Sequence, residues 1–109
     1  MIMDFEKLFK QLVEDVTTVI KEKLGEFAEE GKADIQVFLE ASKENVKRWA
    51  ELVATGELTL DDFEWLLKSQ KDLLLLSALY QAGVSKITLG RLKNTIIKTI
   101  VRTVANFII

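Results

Sequence analysis

The sequence predicts an all-α fold, a bundle or set of elongated hairpins of about four amphipathic helices, in a single domain covering residues 1–109. Three observations point there. Apolar residues recur at alternating steps of three and four along most of the chain. Proline is absent, so no helix interior loses an amide donor. A hydrophobic fraction of 49% beside a charged fraction of 29% is the mix of a chain that buries a core, and 109 residues suffice for one such core but not two.

The first segment, residues 4 to about 30, places Phe5, Leu8, Phe9, Leu12, Val13, Val16, Val19, Ile20, Leu24 and Phe27 on an arc of roughly 200°, with Lys7, Lys10, Glu14, Lys21 and Glu22 opposite. The step pattern is close to a coiled-coil heptad, and the helix would be about 40 Å long. Gly31 offers a break after it. Asp34 is then a candidate N-cap for a second stripe of Ile35, Phe38, Leu39, Val46, Trp49, Leu52 and Val53. One glycine costs only about 1 kcal/mol in a helix, so the first two segments also fit a single rod.

A firmer boundary follows at Thr55 and Gly56. Thr59-Leu60-Asp61-Asp62 reads as a capping box with acidic groups at the positive end of a helix dipole. The third helix is expected over residues 60–82. Within it the run Leu73, Leu74, Leu75 and Leu76 turns apolar side chains in every direction, and a helix apolar all round must be covered all round, by its own chain or another. Gly83 fits a left-handed cap with Val84 as its apolar follower, and Ser85 or Thr88 can start a fourth helix. In that helix Leu92, Ile96, Ile97, Ile100, Val101, Val104, Phe107 and Ile108 fill half the wheel, while Arg91, Lys98 and Arg102 cluster within about 40° on the other side.

The net charge of −2 conceals a polarised chain. Residues 1–72 carry all 17 acidic groups against 10 basic ones, a balance of −7, and residues 73–109 carry five basic groups and no acid. Such a distribution fits a basic last helix lying beside acidic faces of the first two, or head-to-tail assembly between copies.

Composition also removes whole classes of chemistry. With no cysteine there are no disulfides, thiolate metal sites or thiol nucleophiles, and with no histidine the usual general base and commonest transition-metal ligand are missing. No cofactor is expected, and no enzymatic activity. No secretory signal opens the chain, and no apolar run approaches the roughly 20 residues that span a bilayer, so a cytoplasmic location is expected.

Two local resemblances bear on function. Residues 78–92, Ala-Leu-Tyr-Gln-Ala-Gly-Val-Ser-Lys-Ile-Thr-Leu-Gly-Arg-Leu, resemble the helix-turn-helix of repressor-type DNA-binding proteins, with glycine at the turn and apolar residues around it. That resemblance implies a second helix in the major groove, with Ser85, Lys86, Thr88 and Arg91 toward DNA. Leu79 stands where that family has a small residue, and a glycine cap between two helices accounts for the same letters. Glu26, Glu29, Glu30 and Asp34 followed by Asp61, Asp62 and Glu64 resemble the acidic pairs of all-α nucleotide pyrophosphohydrolases, which implies magnesium held by carboxylates from two helices. Here Asp61 and Glu64 reverse that family's order, and helix termini account for the same acids.

The surfaces expected to meet a partner are Trp65, which lies off the main stripe, Leu74 and Leu75 in the leucine run, and the terminal Phe107, Ile108 and Ile109. Trp49 is expected in the core, and Lys23 and Lys93, which interrupt apolar arcs, are expected to snorkel. The expected function is that of a self-associating helical scaffold or adaptor subunit, a homo-oligomer or part of a larger assembly. The alternatives are DNA binding through Lys86, Thr88 and Arg91, and binding to a membrane surface through the basic amphipathic last helix.

Overall fold

The computed structural model describes residues 4–70 and 74–108. Five α-helices and a one-turn 3-10 helix occur among them, and no strand. The first helix, α1 (Phe5–Lys23), opens at Asp4, whose side chain accepts a hydrogen bond from the Lys7 amide at 3.3 Å. Its residues at steps of three and four, Phe5, Leu8, Leu12, Val16 and Ile20, are all buried. Each fully buried aliphatic side chain stabilises by roughly 1.5–3 kcal/mol, so packing of this stripe outweighs local propensity.

The chain turns a corner earlier than Gly31. Leu24 leaves helical geometry with φ −138° and ψ 52°, and a 3-10 turn over Gly25–Phe27 leads into α2 (Ala28–Ala54). Residues 4–54 therefore form two helices, and Gly31 lies inside the second. Its role is steric. A Cβ at position 31 would collide with the Cγ2 methyl of Ile20, itself fully buried and stiff at χ1, so the glycine permits α1 and α2 to cross closely. Trp49 packs in the core as the spacing predicts.

α2 ends at Thr55. Gly56 adopts φ 84°, its amide donates to Val53 O at 3.1 Å, and the Glu57 amide donates to Leu52 O at 2.9 Å, the paired bonds of a Schellman cap. The predicted capping box is present at the start of α3 (Leu60–Ser69). The Asp62 amide donates to Thr59 Oγ1 at 3.0 Å, and the Thr59 amide donates to Asp62 Oδ2 at 3.3 Å.

The continuous third helix predicted over residues 60–82 is broken. α3 ends at Ser69, residues 74–76 are not helical, and a short α4 (Ser77–Gln81) follows; Leu73 lies outside the described residues. The break resolves the problem of a helix that is apolar on every side. Outside helical geometry the three side chains no longer wind round one axis, and Leu74 and Leu76 are buried while Leu75 stands 68% exposed. Leu76 takes a left-handed conformation, φ 51° and ψ 39°, at a cost of about 1–2 kcal/mol for a residue with a Cβ. The second copy that an unbroken apolar helix would require is thus not needed to cover Leu74.

The last helix, α5 (Lys86–Ile108), buries Leu89, Leu92, Ile96, Ile97, Ile100 and Val104. α1 lies between α2 and α5, and α3 and α4 each touch both α2 and α5, so the short helices close the core over the three long ones. The molecule measures 44 × 23 × 20 Å. Among the described residues no helix is long and apolar enough to cross a membrane. The apolar face of α5, which the membrane-surface alternative would need, is turned inward.

Gly31→Ala sets two effects against each other. Alanine gains about 1 kcal/mol of helix propensity, but overpacking a filled contact costs about 1–3 kcal/mol. Urea denaturation is expected to show a net loss on the order of 1 kcal/mol, and a stabilised variant would mean that α1 and α2 do not cross as closely as described.

Candidate interaction surface

Asp34 does not cap its own helix. From the second turn of α2 its two carboxylate oxygens accept hydrogen bonds from the amides of Ala78 and Leu79, each at 2.9 Å. These are the second and third residues of α4, the donors that an N-cap side chain ordinarily satisfies, and the residue in the cap position, Leu76, has no side-chain acceptor to offer. The carboxylate is buried, and both of its bonds are charge-assisted.

At its other end α4 stops at Gly83, with φ 106°. The Val84 amide donates to Leu79 O and the Gly83 amide to Tyr80 O, both at 3.1 Å, and Val84 is buried behind the turn. Ser85 starts α5, its Oγ accepting from the Thr88 amide at 3.2 Å and donating to Thr88 Oγ1 at 2.9 Å. The left-handed glycine and the serine cap stand where the sequence predicts them, and together they fold α5 back along α4.

The corner leaves a groove of about 480 Å³ lined by Leu75, Tyr80, Lys86, Leu89, Gly90 and Lys93. Leu75 and Tyr80, 68% and 52% exposed, form one wall. Lys86, Gly90 and Lys93 succeed one another at steps of four and three and so share a face of α5. Lys86 Nζ lies 5.9 Å from the centroid of the Tyr80 ring. Gly90 is helical and has open space where a Cβ would stand, so nothing within the chain requires glycine there. It costs α5 about 1 kcal/mol relative to alanine.

The positive charge of α5 is not neutralised by close ion pairs among the described residues. Among the described residues the ion pairs are Lys43–Glu6 at 3.8 Å and Lys68–Glu64 at 4.0 Å, and neither involves Lys86, Arg91, Lys93, Lys98 or Arg102. α1 does run beside α5, and a direct polar link between them is a hydrogen bond from Thr103 Oγ1 to Asp15 Oδ2 at 2.6 Å. Arg102 lines a groove with Asp15 and Glu22 without coming within ion-pair distance of either.

The sequence-predicted contact residues are dispersed. Trp65 on α3 is 70% exposed and Leu75 lies in the groove, whereas Leu74 is fully buried in the core. Phe107 and Ile108 are half-buried and pack against the core, and Ile109 lies outside the described residues. Lys86 faces the groove. Thr88 and Arg91 instead line a separate cleft of about 220 Å³ with Lys23, Leu24, Leu92 and Thr95. Of the acidic residues, Asp34 and Asp62 hold helix N-termini and Glu64 pairs with Lys68. Among the described residues no group of three or more acids is placed to hold a metal ion. Sequence reasoning misses Tyr80, Gly90 and Lys93 as a surface, because the side chains that meet them come from a turn whose direction only the tertiary fold sets.

Replacing Asp34 by alanine strands two amides in a buried position. A loss of about 2–3 kcal/mol in denaturant stability is expected, with a smaller loss for Asp34→Asn, which keeps one acceptor. A neutral Asp34→Ala would show that α4 is held by its leucines alone. No protein-family model, curated protein or solved structure matches this chain.

Proposed function

We propose that the chain is a non-enzymatic helical scaffold or adaptor subunit that associates with copies of itself. The observation that carries this is the apolar surface left after a complete core has formed. Twenty-three apolar residues are buried among the described residues, yet Trp65, Leu75, Tyr80 and Ile87 remain between 52% and 72% exposed. Scattered exposed apolar residues are ordinary on a protein surface. Two of these, however, share one groove with a helical glycine and two lysines that lack ion-pair partners among the described residues, and apolar surface rimmed by charge is the usual composition of a protein contact. A chain polarised between an acidic first part and a basic last helix supplies complementary charge for copies of itself.

Sedimentation equilibrium across a wide concentration range is the direct check. The mass is expected to rise above the 12.4 kDa of one chain as concentration increases. A mass that stays at one chain throughout would remove self-association.

A further inference from the structure

We infer that the occupant of the α4–α5 groove is α3 of a second copy, entered by Trp65, an assignment that rests on self-association of the chain. Trp65 is 70% exposed, a costly place for a residue whose indole is most often part of an anchor. On the far side of the contact, Gly90 leaves the floor of the groove open beside Leu75, Tyr80 and Leu89, apolar surfaces against which an indole can pack.

The charges fall in register with this pairing. On α3, Asp61 and Asp62 precede Trp65 by four and three residues, about 6.0 and 4.5 Å of helix rise, and both lie within about 60° of it on the wheel. On α5, Lys86 and Lys93 flank Gly90 at four and three residues, again about 6.0 and 4.5 Å. With the indole over Gly90, the two carboxylates sit at the distance of a flanking lysine. Asp61 has no hydrogen-bond or ion-pair partner among the described residues, and Asp62 uses one oxygen in its capping box. Lys68, the cation on the same side of α3, is already partnered by Glu64.

Knob and groove are different surfaces of one chain, so copies pair either reciprocally about a twofold axis or head to tail. The contact also accounts for the glycine. A side chain at position 90 would favour the helix but fill the space that the tryptophan needs, so the stability lost within one copy is offset in the contact between two.

The test uses two variants that leave the core untouched, Trp65→Ala to remove the knob and Gly90→Leu to fill the groove. Thermal melting of Gly90→Leu is expected at or above the wild-type temperature, which shows the fold intact. In sedimentation each variant alone is expected to associate about thirtyfold or more weakly than wild type, the loss a buried tryptophan anchor carries. An equimolar mixture of the two, each supplying the half that the other lacks, is expected to form a one-to-one pair, weakened by added salt. If wild type associates but the mixture stays at the mass of one chain, or Trp65→Ala associates like wild type, the Trp65–groove contact is wrong while self-association stands. If wild type itself never exceeds one chain, both fall.

Discussion

The fold turns on one carboxylate. Asp34 in the second turn of α2 accepts the amides of Ala78 and Leu79, which stand 44 and 45 positions further along the chain. A helix of five residues has too few internal bonds to persist alone, and its first amides have no partner within it. By taking those amides Asp34 fixes where α4 begins and which way it points. Leu74, Leu76 and Leu79 consequently join the buried core, while Leu75 and Tyr80 are left outside. The left-handed turn at Leu76 is tolerated because the two bonds to Asp34 and the burial of its neighbours together exceed its cost. The groove beside α5 is thus a consequence of a buried hydrogen-bonding requirement.

How much of this was legible in the sequence depends on whether the cause was local. The step pattern of α1, the Thr59–Asp62 box, the left-handed Gly83 and the Ser85 cap all arise within a few residues, and they stand where the spacing put them. Asp34 was legible as a capping residue, but the helix it caps is remote in sequence, and no spacing rule connects it to Ala78. Gly31 has the residue type of a helix break, yet its reason is Ile20 on another helix. The leucine run at 73–76 posed the right problem, since an unbroken helix there cannot hide every face. The solution was a broken helix and not a second chain, which moved Leu74 from the expected contact surface to the core.

The remaining surface has a consistent chemical character. α5 carries five cations with no close acidic partner among the described residues, and its inner face is wholly engaged by the core. The outer face nevertheless keeps a glycine in its second turn, beside exposed leucine and tyrosine. Within one chain these features cost stability without return: a glycine weakens its helix, exposed apolar side chains gain nothing, and neighbouring cations repel. A contact that covers the apolar wall, occupies the space over Gly90 and brings carboxylates to a lysine beside it relieves all three together, and the Trp65 turn of α3 has the residues to do so.

Capture of the first α4 amides by Asp34 is most directly read by native-state hydrogen exchange at those two positions. If the carboxylate holds them, Ala78 and Leu79 will exchange slowly, with protection close to that of the core amides of α5, although neither has an acceptor within its own helix. Exchange of both at the rate of an open, solvated chain would mean that α4 is not tethered to α2, and the groove would lose the support that shapes it.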